Sequence, residues 1–286
     1  MKTILKTENL NKEYSLGSFT SKVKIQALNN INLAVESDEP VIISLVGESG
    51  SGKTTLAKTI LRLIEPTSGR ALVYDQVVAG AGAKQSRAEF MRTVQPIFQN
   101  PFEAFSRYRT IDSYLYETAT RVAQLDKAAA HQAIEEALAS VGMEYADVRG
   151  KYPNQFSGGE LQRASIARAL IPRPSIIVAD EPVSMIDASR RMIIINLFMA
   201  LKAQYRTSFL YITHDLATAY YISDYIAVMH RGSIVEFGVA RDVLSRPQHD
   251  YTRLLLDSIP TLKEKWVRTS AIATNGTVRG VAVARQ

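Results

Sequence analysis

The run Gly47-Glu48-Ser49-Gly50-Ser51-Gly52-Lys53-Thr54 fits the pattern G-x-x-x-x-G-K-[ST], and it constrains the fold of this chain more than any other stretch. Ahead of it, Val41-Ile42-Ile43-Ser44-Leu45-Val46 reads as a buried strand. Behind it, Leu56, Ile60, Leu63 and Ile64 recur at helical spacing as far as Pro66 to Gly69. Strand, glycine loop and helix in that order let backbone N–H groups turn inward around phosphate oxygens at a helix N-terminus whose dipole favours anions. Lys53 then adds charge toward the β and γ phosphates, and Thr54 offers a hydroxyl to Mg2+. Gly47 through Thr55 are therefore the expected nucleotide-binding residues, Thr55 included. A bare glycine turn is the plain alternative, and the motif alone leaves kinases, GTPases and ATPases open.

Further strands alternate with helical patterns, which implies a doubly wound, mainly parallel α/β sheet. Ala27 to Val35 and Phe209 to Thr213 read as strands, and residues 71 to 98 as short β pieces broken by loop composition at Ala79 to Ala83. From about residue 111 the character changes. Asp126 can cap a helix running through Ala129, Ile134, Leu138 and Val141 and closing at Gly142. We expect one domain over residues 1–246 with a helical insert at about 100–165, then an extension over 247–286, helical to about Lys265.

Composition excludes several classes. Without cysteine there is no disulfide, thiolate metal site or Cys nucleophile, and four histidines make a zinc site unexpected. The longest charge-free apolar stretch, Met192 to Leu201, is far short of the roughly 18 to 20 residues that cross a bilayer. Lys2, Lys6, Glu8, Lys12 and Glu13 leave no room for a secretory h-region, so a cytosolic chain is expected. The net charge, 34 basic minus 28 acidic residues or +6, is scattered and reads as solvated surface, with no nucleic-acid partner expected.

The apolar strand Ile176-Ile177-Val178-Ala179 ends in Asp180-Glu181. Carboxylates delivered to the mouth of a parallel sheet suit a Mg2+ partner, Asp180, and a water-activating group, Glu181. Phe156-Ser157-Gly158-Gly159-Glu160 opens another helix. Ser157 and Glu160 form a capping box, and the serine with its glycines also offers a second phosphate-binding surface. One nucleotide needs one phosphate loop, so this second surface would serve another subunit's nucleotide.

With these residues in place, the chain resembles the ABC-type ATPases from residue 4 to about 260, which implies their P-loop NTPase (RecA-like) fold: a mixed, mainly parallel sheet with an antiparallel β portion and a helical sub-domain. Phe156 to Glu160 looks like their signature sequence, Gln99 like the Q-loop glutamine that senses Mg2+ and the γ-phosphate, Ser184 to Asp187 like the D-loop and His214 like the switch histidine. Tyr14 stands where the family stacks an aromatic on adenine, or is an ordinary strand aromatic. Phe156, Glu160, Met185 and Ile186 depart from the commoner residues of these motifs. Arg231 to Gly238 and Arg246 to Pro260 resemble the C-terminal segment of ATP-binding subunits of oligopeptide, dipeptide and nickel importers, some of which move oligosaccharides.

The resemblance implies an ATPase with ATP and Mg2+ in its site: Lys53, Gln99, Glu181 and His214 catalytic, Thr54, Gln99 and Asp180 at the metal, and Tyr14, Ser157, Gly158, Gly159 and Asp187 around nucleotide. It implies peripheral attachment to the cytoplasmic face of the membrane, a second ATPase subunit (identical or paralogous), two transmembrane permeases and, indirectly, an extracytoplasmic solute-binding protein. Phe102, Phe105 and Tyr108 fit either an apolar docking surface for a permease or local packing. A soluble ABC ATPase and a P-loop kinase or GTPase are the rival readings.

Overall fold

The computed structural model describes residues 2–16 and 23–258. Strands β1 (Lys2–Leu16) and β2 (Val23–Ser37) pair antiparallel, and β3 (Ile42–Val46) leads through the glycine loop into helix α1 (Lys53–Ile60). Next come β4 (Ser68–Val73), β5 (Gln76–Gly80), α2 (Arg87–Thr93) and β6 (Val94–Ile97). The helical insert holds α3 (Ile111–Glu117), α4 (Lys127–Ser140), the single turn α5 (Tyr145–Val148) and α6 (Gly158–Leu170). Then follow β7 (Ile176–Asp180), α7 (Ala188–Tyr205), β8 (Ser208–Thr213), α8 (Leu216–Ile222), β9 (Tyr225–His230), β10 (Ser233–Val239), α9 (Ala240–Ser245) and α10 (Asp250–Asp257).

Two sheets result. One is antiparallel, in the order β2-β1-β4-β5. The other runs β10-β9-β3-β8-β7-β6 and is parallel except for its β9–β10 edge pair. The mixed, mainly parallel sheet expected from sequence is thus present, with an antiparallel portion beside it. Strands β3 and β8 are buried at every position because both faces are covered, with Ser44, Ser208 and Thr213 as their only polar residues besides Tyr211. Successive side chains point to opposite faces. Ile177, Ala179, Phe209 and Tyr211 therefore face the core shared with the helical insert, while Ile176, Val178, Leu210 and Ile212 face the core shared with α1 and the antiparallel sheet. Among the described residues no helix is long and apolar enough to cross a membrane.

The sequence reading needs three corrections. Helix α1 stops at Ile60 because Arg62 takes a φ of 55°, so Leu63 turns outward, 49% exposed, instead of continuing the buried face. Strand β5 runs to Gly80, through residues expected to be loop. Helix α2 lies where only β pieces were expected, although Ser86 and Glu89 spell a capping box that closes in both directions. The helix expected past Pro247 is α10, and its continuation toward Lys265 lies outside the described residues.

The cap of α4 forms as read: Asp126 accepts the amides of Ala128 and Ala129 at 3.0 and 2.9 Å, and Gly142 turns the chain at φ 67°. Removing it with Asp126→Ala is expected to cost about 1 kcal/mol. Urea unfolding of the two proteins measures this, and an unchanged midpoint contradicts it.

Candidate functional site

Strands β3, β8, β7 and β6 are parallel neighbours, so their C-terminal ends lie along one edge of the sheet. Val46 pairs with Thr213, Ile212 with Asp180, and Ala179 with Ile97. The chain leaves these strands at Gly47, His214, Glu181 and Phe98-Gln99, so strand register alone gathers residues far apart in sequence. This carboxyl edge is where open α/β sheets bind ligands.

Close packing dictates the glycines of the loop. A Cβ on Gly47 would stand 2.1 Å from the Met229 carbonyl oxygen, and one on Gly52 2.5 Å from the Ala27 carbonyl oxygen and 2.7 Å from Met229 Cε. Gly47, Gly50 and Gly52 have φ of 151°, 81° and 107°, which L side chains rarely adopt. No local pattern announced Met229 or Ala27, since both are brought in by neighbouring elements.

Lys53 is buried, and its Nζ donates to the carbonyls of Gly47 and Glu48 at 2.7 and 2.8 Å and reaches Ser51 Oγ at 3.4 Å. Burial holds its ammonium below the usual lysine range, opposed by the charges of Glu181, Asp180 and Glu48. Beside it, the Thr54 hydroxyl donates to Asp180 Oδ1 at 3.4 Å. Burial raises the Asp180 carboxyl, and the Thr54 hydrogen bond works against that rise. Glu181 stands at φ 44°, its amide bound to the Ile212 carbonyl at 2.9 Å. Its two carboxylate oxygens accept separately: Oε2 from Gln99 Nε2 at 3.2 Å, Oε1 facing His214 Nδ1 at 3.1 Å. Lys53, Thr54, Asp180, Glu181, Gln99 and His214 therefore form one contiguous group.

The remaining expected residues sit elsewhere. Ser157, Gly159 and Glu160 line a separate cleft with Arg163, Ile186 and Ile194. The capping box closes there as read. The Ser157 hydroxyl and amide both donate to Glu160 Oε2, at 2.6 and 2.8 Å, and Ser157 Oγ accepts the Glu160 amide at 3.3 Å. These bonds hold the Glu160 carboxyl below its ordinary range. Asp187 is exposed and precedes α7 without capping it. Tyr14 is half-buried on β1, opposite Ile25, with Lys12 Nζ 5.2 Å from its ring centre. Of the three aromatics after Gln99, Phe102 and Tyr108 are exposed but Phe105 is 3% exposed and packs on Tyr114 and Arg168, which settles it as core.

A glycine loop between a parallel strand and a helix, facing two carboxylates at the sheet's carboxyl edge, defines a P-loop nucleotide-binding protein. The sequence matches the family described as ABC transporter over residues 28–184, and the oligopeptide/dipeptide transporter C-terminal region over residues 235–281. It is 35% identical to the di/tripeptide transport ATP-binding protein DppF of Pseudomonas aeruginosa over 92% of this chain and 80% of that one. It is 40% identical to a putative peptide import ATP-binding protein of Brucella ovis, over 90% and 79%. A solved dimeric ATP-binding cassette, in a post-hydrolysis state with ADP and Pi, superposes with a TM-score of 0.70 at 25% identity, covering 83% of this chain and 99% of that one. The chain belongs to the ABC transporter family, as an ATP-binding, ATP-hydrolysing subunit.

The crowding at Gly52 makes a sharp expectation. Gly52→Ala should lower stability by about 1–3 kcal/mol and abolish nucleotide binding. Gly50→Ala, where a Cβ meets nothing within 4 Å, should be the milder of the two. Chemical denaturation and fluorescent-nucleotide titration of both variants compare them directly, and equal losses would refute the crowding argument.

Proposed function

We propose that this chain hydrolyses ATP to power uptake of an oligopeptide-type solute, as the peripheral subunit of an importer on the cytoplasmic face of the membrane. The observation that carries the chemistry is Glu181, held between Gln99 and His214 at the mouth of the phosphate loop. The backbone amides of Gly50 to Thr55 and the Lys53 ammonium receive the phosphates. Glu181 orients and deprotonates the attacking water, His214 steadies that carboxylate, and Gln99 reports on the γ-phosphate. Lys53 must leave the Gly47 and Glu48 carbonyls to do so, exchanging neutral acceptors for charged ones.

The Thr54 hydroxyl and the Asp180 carboxylate supply two hard oxygens side by side, which suits Mg2+. Among the described residues no cluster of three or more His, Cys, Asp or Glu could enclose an ion. Bound there, Mg2+ would neutralise charge developing on the transferred phosphoryl group.

Ser157, Gly158, Gly159 and Asp187 stand apart from this chain's phosphate loop, so they serve the nucleotide of a second ATPase subunit, identical or paralogous. Two ATPase subunits closing around two nucleotides then drive a pair of transmembrane permeases, fed by an extracytoplasmic binding protein, with ATP favouring the closed dimer and hydrolysis resetting it. Tyr14 stacks on adenine. Residues 1–246 form the ATPase domain and 247–286 its extension. The peptide class of solute is supported by the printed names of the relatives and by the oligopeptide/dipeptide C-terminal match.

Two measurements bear on these roles. Glu181→Gln should keep ATP binding and cut turnover by about 100- to 10,000-fold; full hydrolysis by this variant refutes the water-activating role. Because burial raises the Asp180 carboxyl, it gains a proton at a higher pH than an ordinary aspartate as pH falls, and its hold on Mg2+ goes with it. Carbon-13 NMR titration of the Asp180 carboxyl in the protein free of metal and nucleotide should therefore give a midpoint above the ordinary aspartate range. A midpoint within that range contradicts the expectation.

A further inference from the structure

The C-terminal helix reaches back to the phosphate loop. Tyr251, in the first turn of α10, accepts a hydrogen bond on its hydroxyl from the Glu48 amide at 3.0 Å. That amide belongs to the peptide unit joining Gly47 to Glu48, whose carbonyl oxygen is the one that receives Lys53 Nζ at 2.7 Å. One peptide plane is therefore gripped from both sides, by an ammonium on its carbonyl and a phenol on its N–H. The Tyr251 ring lies against the His230 ring, centroids 3.9 Å apart. His230 Nδ1 stands 3.2 Å from Glu48 Oε1, near in charge but not aligned as a hydrogen bond.

The helix that presents Tyr251 is itself fixed. Glu236 on β10 accepts the amides of Gln248 and His249 at 2.8 and 3.0 Å, and His249 caps α10 by accepting the Tyr251 amide at 3.1 Å. Thr252 is 1% exposed, and Tyr251, Leu255 and Leu256 pack on the cluster of Val46, Leu216 and Val228. The contact with Glu48 thus comes from a rigid support and spans 203 residues of sequence.

We propose that Tyr251 is a positioning residue for nucleotide binding, and that the extension after residue 246 is through it a working part of the phosphate site. A loop with three glycines at positive φ has many competing conformations, and ordering it on binding costs affinity unless it is held beforehand. When Lys53 turns from the Gly47 carbonyl to a phosphate, the Tyr251 hydroxyl is the hold that remains on that peptide. It keeps the 47–48 plane fixed, and with it the direction in which the later amides, from Gly50 to Thr54, face the phosphates. This inference rests on the nucleotide-binding reading given above.

The test is Tyr251→Phe in the full chain, which removes the hydroxyl and keeps the ring on His230. In the nucleotide-free protein, hydrogen exchange at the Glu48 amide should accelerate by about 3- to 10-fold, the value of one ordinary hydrogen bond. Affinity for a fluorescent ADP analogue with Mg2+ should fall, and KM for ATP rise, by about the same factor, with kcat unchanged and the thermal midpoint lowered by only about 2 °C. Leu254→Ala, on the exposed side of the same helix, should alter none of these. Unchanged Glu48 exchange, or a loss in kcat with KM unmoved, overturns the inference. A wild-type chain that fails to bind the analogue refutes the nucleotide-binding reading instead, while the exchange result still decides the tether.

Discussion

The register of four parallel strands is the constraint on which the rest of this molecule depends. Because Val46, Thr213, Asp180 and Ile97 end at one level of the sheet, Lys53, His214, Glu181 and Gln99 converge without any of their own loops being long. A slip of one residue in any of these strands would reverse its side chains between the two cores and move its terminal group by over 3 Å. Register is therefore protected by burial on both faces, and the site inherits that protection.

Charge is placed at this edge against the preference of the surroundings. Lys53 and Asp180 are both pushed toward their neutral forms by burial, and each is supported by partners that are weaker than a full counter-ion in contact: carbonyls for the ammonium, a threonine hydroxyl at 3.4 Å for the carboxylate. Such groups gain most from a ligand that brings the missing opposite charge. A polyphosphate beside Lys53 and a divalent cation beside Asp180 would bring those charges, which gives the proposed nucleotide site its electrostatic rationale.

Much of this was legible in the sequence because the decisive signals are local. The glycine loop, the Asp180-Glu181 strand end, the Ser157–Glu160 box and the Asp126 cap each occupy a few consecutive residues whose types dictate their backbone. What escaped was either a local propensity that lost to a tertiary demand or a contact with no local trace. Leu63 and Ile64 continue the apolar spacing of α1, yet the chain must turn at Arg62 to enter β4. Phe105 reads the same as Phe102 and Tyr108 in sequence, but the core of the helical insert admits only one of them. Helix α2 stands where the sequence suggests only β pieces, although Ser86 and Glu89 spell out its capping box. Met229 and Ala27, which forbid side chains at Gly47 and Gly52, could not have been found by spacing at all.

The central strands also decide which groups of the site face solvent. Ile177 and Ala179 on one face of β7, and Ile176 and Val178 on the other, are fully buried, so the strand that ends just before Glu181 is packed on both sides. The Gln99 and His214 side chains that touch Glu181 are exposed and project from loops. Gln99 and His214 are thus the solvent-facing groups of this centre, and the Glu181 side chain, 20% exposed against 63% for His214, is the shielded one between them.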